Sequence, residues 1–201
     1  RSAEIIQSSL TQVSDKIDFA VFPSLQGGPH NNVIAGVAVA LKEAMEPSFN
    51  EYILDVLDNS NALASYMIEK GYKLSTGGTE NHLLLIDLRD KKITGSKAEY
   101  ILEKVNISVN KNAIVGDKSA LSPGGIRIGL CAMTTRGVKA NDCQKIADFI
   151  HKAITIAIEL QEGSPKLIDF KNKVHDELLK VDSLLQKLRE DVKNFTETLS
   201  F

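Results

Sequence analysis

One arginine in the sequence stands in a pattern that suits the binding of a small anion. Arg127 lies between Ile126 and Ile128, an alternation typical of a strand whose isoleucines face a core while the arginine points to the opposite face. Glycines flank this segment, so a ligand could approach its backbone closely. A guanidinium matches a carboxylate with two parallel hydrogen bonds, each contributing about 1.5–3 kcal/mol when partly shielded from water. Arg127 is therefore a candidate carboxylate receptor, although a solvated surface arginine would show the same pattern.

A second polar segment, Asn110-Lys111-Asn112, lies where a short apolar run, Ile107 to Val109, gives way to a long loop. The run predicts a strand, and the asparagine amides can both donate to and accept from a heteroaromatic ring. Asparagines at such a place also commonly satisfy the backbone of their own turn, and both interpretations stay open. Lys111 carries no sign of burial in the sequence, so we interpret it as a positioning or surface charge.

A third candidate is the turn Gly27-Gly28-Pro29, which precedes an apolar segment from Asn31 to Met45. That segment predicts a helix buried on nearly all sides, capped by Asn31 or Asn32. Glycine amides close to the start of a helix can receive a phosphate group, but a plain structural turn has the same composition.

Other motifs that would indicate different chemistry are incomplete or absent in the sequence. The segment 116–119, Gly-Asp-Lys-Ser, lacks the earlier glycine and the following helix of a phosphate loop. His82 precedes a strand without any companion at metal-ligand spacing, so the sequence predicts no metal site. Dinucleotide-binding and hydrolase-elbow motifs do not occur.

Several segments together resemble the serine hydroxymethyltransferase family. They are VFPSLQGGPHNN at residues 21–32, TGGTENH at residues 76–82, GGIRIG at residues 124–129 and TTRG at residues 134–137. The motifs fall in family order, and the similarity runs from about residue 17 to the carboxyl end. It covers the second half of such an enzyme, so the resemblance implies that the lysine that binds the coenzyme precedes this chain.

The resemblance assigns roles to five residues of the chain. It implies that Arg127 binds the substrate carboxylate and that Asn112 binds the pterin side of folate. It implies further that Gly27 and Gly28 contact the coenzyme phosphate of a neighbouring subunit, and that Phe22 lies near the glutamate tail of that subunit's folate. No catalytic residue is expected in the chain itself.

The implied activity is the interconversion of serine and glycine, with transfer of a one-carbon unit to tetrahydrofolate and with pyridoxal 5'-phosphate as cofactor. We expect a homodimer or tetramer that includes a companion amino-terminal half, in the cytoplasm or mitochondrion. Without that half, we expect this chain to be inactive. The alternative is a non-catalytic fragment or interaction protein derived from the same family.

Two departures from the family pattern flank the proposed pocket. Leu130 and Cys131 stand where the family usually has Gly-Thr-Pro-Ala, and Ile114-Val115 replace a segment that usually ends in proline. The loss of proline frees the backbone, which puts the shape of the pocket in doubt. Arg136 is a second cation that could support binding of a carboxylate or of the folate tail.

The composition of the chain is that of an ordinary globular protein. Its 201 residues are 43% hydrophobic and 25% charged, with a net charge of -2, so nothing biases it toward nucleic acid or an anionic membrane. Two cysteines are too few for a disulfide scaffold, which favours a reducing compartment.

The resemblance implies an α/β chain that ends the large domain and forms the small domain of an aspartate-aminotransferase-like (fold type I) pyridoxal-phosphate enzyme. We expect residues 1–47 to end the large coenzyme-binding domain and residues 48–70 to form a linking helix. Residues 71–201 should form the small α/β domain, with amphipathic helices at its end.

Overall fold

The structure of the chain is a computed structural model that describes residues 12–119 and 122–200. The chain divides into two compact units, Arg1–Glu46 and Pro47–Phe201. Of the range 1–47 that the sequence assigns to the large domain, residues 1–11 lie outside the described residues.

The first unit contains helical residues 12–19, a π-helical turn at Ala20–Leu25 and helix α1, Asn31–Ala44. The predicted helix is confirmed, but His30 takes the cap position in place of an asparagine. The expected burial is not found within this chain, because every described residue of the unit is exposed; Val33 and Ile34 are each 57% exposed. Apolar spacing predicts which sides of a helix prefer to be covered, but it does not supply the surface that covers them.

Helix α2, Pro47–Glu69, opens the second unit. Proline is well placed at its start, since the first helical residue needs no amide hydrogen for the helix. The helix ends before Gly71, which has φ +75°, a backbone conformation that glycine adopts without steric cost. One face is buried and includes the apolar residues Leu63 and Met67.

The second unit is built on a four-stranded sheet in the order β1-β2-β4-β3, with every neighbouring pair antiparallel. The strands are β1 (Lys73–Leu74), β2 (Leu83–Asp87), β3 (Asn110–Asn112) and β4 (Gly125–Gly129). The prediction of a strand at Ile107–Val109 is therefore wrong. Those two apolar residues pack against the core before the hydrogen-bonded ladder begins, and the ladder itself is formed by the polar residues that follow.

Helices cover the buried face of this sheet. Helix α2 and helix α3 (Gly95–Lys104) contact its strands. The other helices pack on these two or on one another; they are α4 (Cys131–Thr135), α5 (Cys143–Leu160), α6 (Leu167–Leu178) and α7 (Leu184–Glu197). Short 3₁₀ turns occur at Arg89–Lys91 and Ala140–Asp142. The side chains that share one core with these helices include Leu84 and Ile86 of β2 and Ile126 and Ile128 of β4. The fold is thus mixed α/β with a small sheet, as the sequence predicts at that level.

The opposite face of the sheet is more open. Leu83 and Leu85 of β2 are partly exposed, and Arg127 of β4 is exposed. Among the residues described, no helix combines the length and the hydropathy that crossing a bilayer requires.

Candidate functional site

Arg127 lies at the centre of β4 and points away from the core. Its neighbours Ile126 and Ile128 are 0% and 5% exposed, whereas Arg127 itself is exposed. The alternation in the sequence therefore predicts the strand and its two faces correctly. The core holds the isoleucines, and because side chains alternate across a strand, that packing fixes the face from which the guanidinium projects.

Asn110 is the residue directly opposite Arg127 on β3. A terminal guanidinium nitrogen of Arg127 donates to Asn110 Oδ1 over 3.4 Å, which is long for a hydrogen bond. Across the portion of the chain that the structure describes, no carboxylate lies within 4.0 Å of this guanidinium. The cation therefore stays available to an anionic ligand, because its described partner is neutral and weakly held.

A recess of about 340 Å³ surrounds this pair. Its lining consists of His82, Leu83, Ser108, Val109, Asn110, Arg127 and Gly129. The lining combines the aliphatic side chains of Leu83 and Val109 with serine and asparagine side chains that supply neutral hydrogen-bonding groups. Such a recess can receive a small carboxylate with room for a polar group beside it.

Asn112 lies two residues after Asn110 on the same strand, so both asparagines project from the same face. Its amide nitrogen donates to the carbonyl of Ala113 over 2.9 Å, so in this structure the side chain satisfies its own turn backbone. Lys111, between them, is directed toward helix α3. Its backbone amide donates to Glu99 Oε1 over 2.9 Å, and its ammonium lies 4.0 Å from the same carboxylate.

A cluster of charged residues that the sequence analysis missed holds the loop between β3 and β4. Arg89 donates through Nε to Asp87 Oδ1 over 2.9 Å and through a terminal nitrogen to Asp87 Oδ2 over 2.6 Å. Another of its nitrogens donates to the carbonyl of Val115 over 3.1 Å and lies 4.0 Å from Asp117 Oδ1. Asp117 Oδ2 accepts from the amides of Ile114 and Gly124 over 2.8 and 2.7 Å.

The electrostatics of this cluster favour charged carboxylates. The hydrogen bond from Arg89 holds the pKa of Asp87 below its usual value, against the opposing effect of burial. The two backbone amides lower the pKa of Asp117, and Arg89 contributes in the same direction. The sequence does contain one sign of this cluster, because Asp87 is the single charged residue in an apolar strand and a buried carboxylate needs a partner.

Glycine is required where this cluster meets the sheet. An added Cβ at Gly125 would lie 2.3 Å from Ile114 Cδ1 and 2.6 Å from the carbonyl oxygen of Ile86. An added Cβ at Gly124 would lie 2.9 Å from both Arg89 Cγ and Asp117 Oδ1. The two glycines before Ile126 thus permit close packing of the loop on β2 and β4, rather than close approach of a ligand.

The other predicted site residues, Phe22, Gly27 and Gly28, belong to the first unit. All three are exposed, and a Cβ added at either glycine would meet nothing within 4 Å. The space beside the α-carbons of this turn is therefore open, which is compatible with the approach of an anionic group. The turn is followed directly by the start of α1 at Asn31.

Three further residues have structural contacts that their sequence context did not reveal. Arg136 donates to the carbonyl of Thr196 over 2.6 Å and so attaches the end of α7. Leu130 is 1% exposed and belongs to the core. The carbonyl of Cys131 accepts from the Tyr52 hydroxyl over 3.1 Å, so the departure from the family pattern at Leu130 and Cys131 is accommodated by the fold.

The described parts of the chain contain no group of three or more His, Cys, Asp or Glu residues that could hold a metal ion. The carboxylates of the charged cluster are instead bound by a guanidinium and by backbone amides.

Comparison with known proteins agrees with the family resemblance of the sequence motifs. A family model described as serine hydroxymethyltransferase matches residues 4–150. The cytosolic serine hydroxymethyltransferase of Oryctolagus cuniculus is 47% identical over 189 residues, which cover 92% of this chain and 39% of that protein. The cytosolic enzyme of Saccharomyces cerevisiae is 49% identical over 171 residues, covering 83% and 36%. Serine hydroxymethyltransferase 4 of Arabidopsis thaliana is 45% identical over 190 residues, covering 94% and 40%.

The chain thus spans about two fifths of the length of the curated relatives that it matches. Within that span the similarity is high and nearly continuous, and the family match includes both the first unit's glycine turn and the strand that carries Arg127. The chain belongs to the serine hydroxymethyltransferase family.

Proposed function

We propose that this chain contributes the carboxylate receptor and part of the folate site to a serine hydroxymethyltransferase. The reaction is the interconversion of serine and glycine with transfer of a one-carbon unit to tetrahydrofolate. The observation that carries the proposal is the state of Arg127, which is exposed in a recess, has a weakly held neutral partner and lies on a rigid strand. Membership of the family supplies the identity of the ligand.

In this proposal Arg127 binds the carboxylate of serine or glycine through its paired donors. A two-point contact fixes the orientation of the amino acid and therefore which bond at its α-carbon faces the cofactor. Because β4 is held by the core on one side and by the charged cluster at its start, the arginine needs little reorganisation when the substrate binds.

Pyridoxal phosphate, when bound, withdraws electrons from the α-carbon of the amino acid. The residues of this chain that would hold it are Gly27 and Gly28, whose open turn precedes the start of α1 and suits a phosphate group. We assign this contact to a neighbouring subunit, and Phe22 to the folate tail of that subunit. Asn112 would exchange its bond to the Ala113 carbonyl for one to the pterin.

The remaining parts of the proposal concern organisation. Residues 1–47 would end the large coenzyme-binding domain of a fold type I enzyme, residues 48–70 would link the domains, and residues 71–201 would be the small domain. The enzyme would be a homodimer or tetramer in the cytoplasm or mitochondrion, with amino-terminal residues that carry the coenzyme lysine. This chain alone would not turn over.

The alternative is a non-catalytic fragment or interaction protein. A departure from the family pattern at Leu130 and Cys131 would fit this alternative, but Leu130 is buried in the core and the Cys131 carbonyl is hydrogen-bonded, so both residues fit the fold. That removes a reason to prefer the alternative.

Native mass spectrometry followed by assay separates the two functions. The chain is purified from its source and examined for a companion polypeptide with bound pyridoxal phosphate, and tetrahydrofolate-dependent conversion of serine to glycine is then measured. We expect turnover only when both parts are present. Absence of turnover from an intact assembly with bound cofactor would contradict the proposal.

A further inference from the structure

Strand β3 presents a register problem that its own sequence does not solve. The strand has three residues, all polar, which pair Asn110 with Arg127, Lys111 with Ile126 and Asn112 with Gly125. The register of a strand is normally set by the match between its apolar residues and the core, and a strand without apolar residues is prone to slip. A slip of one residue would reverse the face of every side chain.

The consequence of such a slip would fall directly on the recess. Asn110 and Asn112 would leave the face that carries Arg127, and Lys111 would replace them there. The neutral acceptor opposite the guanidinium would be exchanged for a second cation. Two features outside the loop oppose this. Ile107 and Val109, just before the strand, pack against the core, and the Lys111 amide donates to Glu99 Oε1 over 2.9 Å.

Asp117 closes the loop immediately beyond the last strand pair. Its Oδ2 atom accepts from the amides of Ile114, two residues after Asn112, and of Gly124, one residue before Gly125. Its own amide donates to the Ile114 carbonyl over 2.9 Å. A single carboxylate oxygen thus holds both ends of the loop at fixed positions relative to each other.

The same loop end is attached to the rest of the sheet. The amide of Leu88, which follows β2, donates to the carbonyl of Gly124 over 2.9 Å. Arg89, held by both oxygens of Asp87, binds the Val115 carbonyl and lies beside Asp117. Asp87 in turn lies opposite Gly125 in the ladder. These contacts therefore fix the position of Asp117 relative to β2 and β4, the two strands whose register is set by the core.

We propose that Asp117 is a positioning residue that sets the register of β3 against β4 and so keeps Asn110 and Asn112 on the face of Arg127. The effect on register follows from the hairpin alone. The expected effect on folate rests on the proposed function, because it assumes that Asn112 binds the pterin.

Disulfide trapping in the full-length holoenzyme reads the register directly. The paired substitutions Asn110→Cys and Arg127→Cys place two thiols opposite each other, whereas Lys111→Cys with Arg127→Cys places them on opposite faces. In the parent background we expect the first pair to cross-link and the second to fail. Single-cysteine variants control for Cys131 and Cys143.

Asp117→Asn keeps the size of the side chain but weakens both hydrogen bonds, because a neutral carboxamide oxygen accepts less strongly than a carboxylate and its amino group would lie beside Arg89. We expect it to reduce cross-linking of the first pair by roughly threefold or more and to raise that of the second pair. Asp90→Asn is the matched control, since it removes an equal charge beside Arg89, and no hydrogen bond from the Asp90 side chain to the described part of the loop occurs. It should leave both yields unchanged.

The possible results separate the claim that Asp117 sets the register from the claim that Asn112 binds folate. An unchanged cross-linking pattern in a folded Asp117→Asn protein would overturn the role of Asp117. If the pattern changes, the Asp117→Asn enzyme with its native Arg127 should have a KM for tetrahydrofolate about tenfold higher than that of the parent. Its KM for serine should change less. If the pattern changes while the folate KM does not, register control stands and the assignment of Asn112 is wrong. If Asp117→Asn fails to fold, Arg89→Lys is tested in its place. It should change both cross-linking yields in the same directions but by less, and unchanged yields would overturn the proposal.

Discussion

Asn110 and Arg127 face each other across β3 and β4, and their side chains meet at 3.4 Å on the exposed side of the sheet. The contact joins a charged donor to a neutral acceptor at a distance where hydrogen bonds are weak. A ligand carboxylate could take over the guanidinium by forming shorter, charge-assisted bonds. The asparagine therefore holds the arginine in place without competing strongly for it.

Asn110→Ala should weaken glycine binding only about two- to threefold. The bond that is lost is long, so it contributes less than the about 1.5–3 kcal/mol of a well-formed hydrogen bond to a charged group. The dissociation constant for glycine, measured by calorimetry on the full-length enzyme, checks this. A loss of a hundredfold would mean that Asn110 itself contacts the substrate.

Gly95→Ala should destabilise the protein by about 1–3 kcal/mol or more, as overpacked sites do. An added Cβ at Gly95 would lie 2.1 Å from the carbonyl oxygen of Gly125, at the start of the strand that carries Arg127. Gly78→Ala is the matched control, because a Cβ there meets nothing within 4 Å. Its free energy of unfolding in urea should differ by less than about 1 kcal/mol from that of the parent. Equal effects of the two substitutions would contradict the packing described here.

The sequence was informative wherever a structural feature depends on neighbouring residues. The alternation around Arg127, the helix expected over residues 48–70 and the amphipathic helices at the end of the chain are local patterns, and the structure contains each of them. β3 was misplaced because its polar residues carry no strand pattern and owe their pairing to the loop beyond them.

Features that depend on distant partners could not be predicted. The role of Asp117 requires both ends of its loop and Arg89. The structural contact of Arg136 could not be predicted because its acceptor, the Thr196 carbonyl, lies sixty positions further along the chain. The sites proposed at Gly27, Gly28, Asn112 and Phe22 remain predictions from the family pattern.

Stability should fall as the pH decreases below about 6.5, with His151 as one cause. Its Nδ1 atom lies 3.0 Å from the Tyr72 hydroxyl, and burial lowers the pKa of the imidazole. Lys70 and Lys91 lower that pKa further, while Asp148 opposes them. Because the unfolded chain takes up the proton near pH 6.5 and the folded chain resists it, protonation favours unfolding.

His151→Gln removes this contribution to the pH dependence. The free energy of unfolding, measured in urea between about pH 7 and pH 5, should decline less steeply in the variant than in the parent. The comparison cancels the other groups that titrate in this range. Identical slopes for the two proteins would show that His151 is not held in its neutral form.

The most direct test of the central claim is the affinity of the full-length holoenzyme for glycine in three arginine variants. Arg127→Ala should raise the dissociation constant at least about a hundredfold, since a paired, charge-assisted contact is lost. Arg127→Lys should recover only part of that loss, because an ammonium offers no planar pair of donors. Arg189→Ala, the same change at an exposed position of α7, should bind glycine as the parent does. Parent-like affinity in a folded Arg127→Ala protein would contradict the assignment of Arg127 as the carboxylate receptor.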